Sequence, residues 1–111
     1  LDVLYRNCLF TLLPSLYEGW SLTLPESLGY GKFCLTSAVD PLIETGRDLV
    51  DYVEPWDVAG WAEKMQHYIQ HPAEVKNYEK RIKEEWDTIT WQNCASNVYQ
   101  NLLSFKAAKG E

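Results

Sequence analysis

Apolar and polar positions follow two rhythms along this chain. "CLFTLLP" (Cys8 to Pro14) is an apolar run closed by proline, and "KFCLTS" (Lys32 to Ser37) and "LVDYVEP" (Leu49 to Pro55) are two more short runs. The first two predict strands buried on both faces, and the third a further short strand. Between and after them the spacing changes to three and four. Leu1, Leu4 and Tyr5 suit one face of a helix ahead of the first strand. A short helix is predicted to stop near Gly29 to Gly31, where glycine supplies a left-handed end, and one helical turn is predicted from Pro41 to Thr45. Beyond the third strand helices take over. Asp57 can cap a helix to about Gln70, with Val58, Trp61, Ala62, Met65 and Ile69 as its buried stripe. A mostly polar helix, Ala73 to about Asp87, precedes a last one from Trp91 to about Phe105, in which Trp91, Ala95, Val98, Tyr99, Leu102 and Leu103 are expected to face in. Strand and helix alternating at short spacing predict βαβ units and an α/β fold, a parallel sheet with helices on both faces.

The length, 111 residues, holds one domain spanning 1–111. A hydrophobic share of 46% and an aromatic share of 14% require a packed interior. The net charge of −6, with scattered basic residues, argues against nucleic acid as a partner. Cys8, Cys34 and Cys94 are odd in number and form no C-x-x-C pair, so neither a disulfide framework nor a zinc site is indicated. With no signal peptide and no apolar run near the length of a membrane span, a cytoplasmic location is expected. The chain starts without methionine inside a helical pattern, which reads as a cut in something longer.

Candidate chemistry concentrates in "PSLYEGWSLTLPESLGYGK" (Pro14 to Lys32), where Glu18 and Glu26 bracket an uncharged segment. Ligands of parallel sheets bind beyond the carboxyl ends of strands, where the next helix starts. A helix start there offers unpaired N–H groups to a phosphate without needing Lys or Arg. Two helix starts fit. If Ser21 is the cap, Pro25 leaves the Ser21 carbonyl without its i+4 donor, and the Glu26 carboxylate leans back toward the helix start, able to accept from the hydroxyls of a ribose. If Thr23 is the cap, "TLPE" is a capping box and Glu26 holds its own helix. Glu18 reads either as a surface carboxylate or, beside Gly19, Tyr17 and Trp20, as a group that orients sugar hydroxyls.

The same stretch resembles the E-x7-E signature of retaining GT-B glycosyltransferases of the group 1 type (family 4), whose usual form is P-S-x-x-E-G-F-G-L-x-x-x-E-A-x-x-x-G-x-P. The match runs through Pro14, Ser15, Glu18, Gly19, Leu22, Glu26, Gly31 and the strand "FCLTS". It continues with Glu44, "VEPWD" and "TITW", which resembles the F-S-W opening the family's terminal helix. The resemblance implies a Rossmann-like sheet in the C-terminal domain of a GT-B fold, a nucleotide-diphosphate sugar as donor and a sugar or glycan acceptor. It implies that Glu18 meets the donor sugar at the catalytic centre. Backbone amides from Gly19 through Trp20, Ser21, Leu22 and Thr23 would hold sugar and diphosphate, and Glu26 the ribose. It implies no metal or other cofactor, and a separate N-terminal domain of the parent chain that carries the acceptor site, so this segment alone should not catalyse transfer. Polysaccharide or glycoconjugate synthesis follows as the setting, with attachment to the cytoplasmic face of a membrane left open. Ser21, Ser27 and Phe33 depart from the family's Gly, Ala and Pro.

Glu63, His67 and His71 share a helical spacing that could offer metal ligands, but histidines near a helix C-terminus are favoured there by the dipole alone. Of Trp56, Trp61, Trp86 and Trp91, three fall on or near apolar helix faces and read as core, and Trp20 alone keeps a reading as a candidate contact. A non-catalytic Rossmann-like interaction module is the rival reading.

Overall fold

The computed structural model describes residues 1–110. Its elements, in order, are α1 (Asp2–Asn7), β1 (Thr11–Leu13), α2 (Thr23–Gly29), β2 (Cys34–Ser37), α3 (Asp40–Gly46), β3 (Asp51–Val53), α4 (Val58–Gln70), α5 (Pro72–Glu85) and α6 (Trp91–Ala108). The strands form a parallel sheet in the order β1-β2-β3, with Thr11 opposite Cys34 and Leu35 opposite Asp51. This is the expected α/β architecture, two βαβ units in succession. Every residue of β2 is buried, whereas β1 lies at the sheet edge and leaves Leu12 exposed, so the expectation that β1 is covered on both faces fails.

Side chains alternate across β2, and the core divides accordingly. Cys34 joins Leu24 and Leu28 of α2, Leu42 of α3, Leu49, Val50 and Ile82 on one face. Leu35 joins Phe33, Val53, Tyr68 and Val75 on the other. Burial pushes the Cys34 thiol up to about 11, leaving it a packing residue. Gly31, at φ 70°, donates to the Leu28 carbonyl and ends α2 where expected. Asp57 accepts from the Gly60 amide at 2.9 Å and caps α4 as expected.

Two helix faces differ from expectation. In α4, Val58, Ala62 and Ile69 are exposed, and the inward stripe is Trp61, Met65 and Tyr68. Tyr68 sets that rotation because its ring packs on Phe33 at 4.6 Å while its hydroxyl reaches Asp51. In α6 the expected inward face, Trp91, Ala95, Val98, Tyr99, Leu102 and Leu103, is exposed, since none of the described residues covers it. No described helix is long and apolar enough to cross a membrane.

Asp51 ties β3 to α4. Lys64 Nζ donates to both carboxylate oxygens at 2.8 Å, Tyr68 Oη donates at 2.7 Å and the Tyr52 amide at 2.8 Å. Burial raises the Asp51 carboxyl, but these donors outweigh it and hold the group below its ordinary 3.8. A lowered folded-state pKa contributes stability that is present above the unfolded value and is lost as pH falls through the folded one. The urea midpoint is therefore expected to drop below about pH 4, and more steeply than in Asp51→Asn. Equal slopes for the two proteins would show that the Asp51 contacts contribute nothing to acid stability.

Candidate functional site

The loop after β1 is anchored from below. Thr36 Oγ1 and Ser37 Oγ, both on buried residues, donate to the Leu13 carbonyl at 3.4 Å, fixing where the chain leaves the sheet. The α2 helix is clamped to β1 by a 2.6 Å bond between Thr11 Oγ1 and Ser27 Oγ, and Ser27 also donates to the Lys32 carbonyl. Ser27 is fully buried, so the hydroxyl that departs from the family pattern is a structural tie.

The start of α2 separates the two capping readings. Leu22 already has helical φ and ψ, the Glu26 amide donates to the Leu22 carbonyl at 3.0 Å, and buried Ser21 accepts from the Leu24 amide at 3.4 Å. Ser21 is the capping side chain. Thr23 is exposed, and the Glu26 carboxylate accepts from Tyr5 Oη at 3.1 Å and not from the Thr23 amide. The capping-box reading is therefore corrected, and Glu26 is not spent on its own helix. Pro25 has no amide to offer the Ser21 carbonyl, as expected.

Four of the predicted contact residues, Gly19, Trp20, Leu22 and Glu26, line one cleft of about 1060 Å³. Glu18 does not line it. Its Oε1 accepts from Ser15 Oγ at 2.7 Å, and it lines a separate hollow of about 310 Å³ with Leu16, Tyr17, Val39, Asp40 and Pro41. Pro41 lines both spaces, so they adjoin, but the two glutamates open on different ones. Ser21 lies under the loop as the cap, and Thr23 lines neither hollow.

The far wall of the cleft was not expected. It is built from Trp86, Ile89 and Trp91 around the α5–α6 connection and from Glu44 and Arg47 at α3. Trp56 and Trp91 are exposed, whereas Trp61 and Trp86 are half-buried and pack against the two core clusters, so the core reading holds for Trp61 and Trp86 and fails for Trp91. Arg47 supplies a positive charge to the same lining as Glu26 and Glu44. Glu44 had a signal in the sequence through the resemblance of its segment, as did Ile89 and Trp91 within "TITW", although spacing read Trp91 as core. The tryptophans were masked by their helical spacing.

His67 pairs with Glu74 at 2.7 Å and stacks on His71, and Glu63 takes no part. Among the described residues no group of three His, Cys, Asp or Glu side chains could hold a metal ion.

No protein-family model and no curated protein matches the chain. Among solved structures it is similar to sucrose-phosphate synthase from Thermosynechococcus elongatus, with a TM-score of 0.74 and 26% identity over 96% of this chain. The chain spans 27% of the length of that protein. The likeness establishes the GT-B type of α/β domain and a coarse relationship to glycosyltransferases.

Proposed function

We propose that this chain is the nucleotide-sugar-binding portion of a retaining glycosyltransferase of the family 4 type. The observation that carries the reading is the cleft that gathers Gly19, Trp20, Leu22 and Glu26 at the carboxyl end of β1, in a fold similar to that of a glycosyltransferase. Glu26 would accept from the ribose hydroxyls of the donor. Backbone from Gly19 to Thr23 would hold sugar and diphosphate, and Trp20, 62% exposed at the rim, would pack on a sugar face.

Glu18 would meet the hydroxyls of the transferred sugar from the adjoining hollow. The proposed reaction brings the anomeric carbon against an acceptor hydroxyl, with the leaving diphosphate stabilised by preorganised amides. The acceptor, a sugar or glycan, would sit against a second domain of the parent chain, which would act in the cytoplasm or at its membrane face. The reading assigns no metal to the site.

The test is release of nucleoside diphosphate by the full-length protein over a panel of nucleotide-sugars, comparing wild type with Glu26→Gln. One donor is expected to support release, and the substitution to weaken its binding about 10- to 100-fold, the range for a hydrogen bond to a charged group. Unchanged release with a lowered melting temperature would make Glu26 a purely structural residue and remove the basis of the proposal.

A further inference from the structure

The contact that takes up one oxygen of Glu26 comes from an unexpected place. The α1 helix is six residues long, and Tyr5 is its one buried side chain; Leu1 and Leu4, expected to share its face, are 78% and 70% exposed. A helix so short and so little buried is held by Tyr5. The Tyr5 ring stacks on Tyr30 at a centroid distance of 4.8 Å and an interplanar angle of 10°. Tyr30 follows α2 directly, its amide donating to the Glu26 carbonyl at 3.0 Å, and Arg6 lies over its ring while pairing with Asp2. This packing fixes the Tyr5 hydroxyl relative to α2, and from that position it donates to Glu26 Oε2 at 3.1 Å. Burial first, and Glu26 second, raise the Tyr5 phenol above its ordinary 10.0, so it remains a donor at neutral pH.

We propose that Tyr5 is a positioning residue for donor binding: it occupies Glu26 Oε2 and leaves Oε1 to accept from the vicinal hydroxyls of the donor ribose. The inference rests on the reading of Glu26 as a ribose ligand. Tyr5 is not part of the cleft lining, whereas Glu26 is, so the phenol acts through the carboxylate and not on the ligand. An exposed glutamate samples several rotamers and loses that freedom when it binds. A charge-assisted bond from a buried donor selects the rotamer beforehand, which lowers the cost of association. Packing of α1 on α2 is a separate role, carried by the ring stack with Tyr30, and it survives loss of the hydroxyl.

The experiment titrates uridine, guanosine and adenosine diphosphates into the full-length protein by calorimetry, then the 2′,3′-dideoxy form of the tightest binder. Wild type, Tyr5→Phe, Glu26→Gln and the double variant are compared. Tyr5→Phe is expected to weaken the ribonucleotide about five- to tenfold, as the loss of one hydrogen bond does. It should leave the dideoxy ligand within about twofold of wild type, and add little on the Glu26→Gln background. An equal effect on both ligands, or none on either, while Glu26→Gln still discriminates between them, would overturn the role of Tyr5 and keep that of Glu26. If Glu26→Gln fails to discriminate, the ribose reading falls and the proposal with it. Melting temperatures of all four proteins separate either result from misfolding.

Discussion

Phe33→Ala is expected to destabilise the domain by about 3–5 kcal/mol, the range for truncating a buried aromatic residue. Phe33 is fully buried immediately before β2. Its ring contacts Tyr78 at 4.5 Å, Tyr68 at 4.6 Å and Phe10 at 6.0 Å, so it joins α5, α4 and the approach to β1. The position is where the resembled family has proline, and the cluster explains the difference, because only a large ring fills the space among three others. Backbone rearrangement to close the void is restricted, since the Phe33 carbonyl accepts from the Thr11 amide at 2.9 Å. Urea unfolding followed by tryptophan fluorescence reads the change, and Phe33→Leu, which keeps much of the volume, should cost clearly less. A loss below about 1 kcal/mol for Phe33→Ala would mean that the cluster collapses onto the gap and that Phe33 does not organise it.

The elements were legible in the sequence to the extent that periodicity carries them. Three apolar runs gave three parallel strands, and the caps at Asp57 and Gly31 are where local chemistry puts them. Facing was less legible. Leucine and tryptophan at helical spacing mark an amphipathic helix, but not whether anything packs on it, and α6 carries its apolar face exposed. In α4 the inward stripe was displaced because a tyrosine with a carboxylate partner outcompetes Val58 and Ile69 for the interior, a preference that hydropathy does not register.

The candidate site was legible along the chain and not across it. Gly19, Trp20, Leu22 and Glu26 lie close in sequence, and a cleft gathers them. Glu18 belongs to the same motif but turns into an adjoining hollow, held by Ser15 three residues away. The local sequence allowed Glu26 either to cap or to bind, and a tertiary contact from Tyr5, 21 positions earlier, takes its carboxylate out of the capping box. Trp86, Trp91 and Arg47 come from elements far along the chain, and no spacing rule connects them to residues 19–26.

Gly46→Val is expected to be about as damaging as loss of a core side chain, and to disturb the cleft as well. Gly46 is buried at the end of α3, and a Cβ there would lie 2.5 Å from Val50 Cγ2, 2.8 Å from Tyr52 Oη and 3.4 Å from Leu24 Cδ2. None of these can move freely. Val50 is branched and buried, and the Tyr52 hydroxyl donates to the Arg47 carbonyl at 2.7 Å, with burial foremost in pushing its phenol up to about 12. Arg47 itself sits at φ 49°, so the turn after α3 is already confined to one geometry. Overpacking costs about 1–3 kcal/mol in ordinary cases, and two further methyl groups beyond the Cβ place this variant at about 3 kcal/mol or more. The strain has a direction. Leu24 lies in α2 between the Ser21 cap and Glu26, and Glu44 and Arg47 of the cleft wall flank Gly46 in sequence. Valine at 46 should therefore displace α2 against α3 and weaken the nucleoside diphosphate binding proposed for the cleft even in molecules that remain folded. Phe33→Ala empties the opposite face of the sheet and should leave the affinity of the folded fraction near wild type. Melting temperature and calorimetric affinity of the full-length protein, measured on both variants, test this asymmetry. Equal loss of affinity in the two would mean that binding follows global stability, and that the packing of α2 on α3 does not by itself set the cleft.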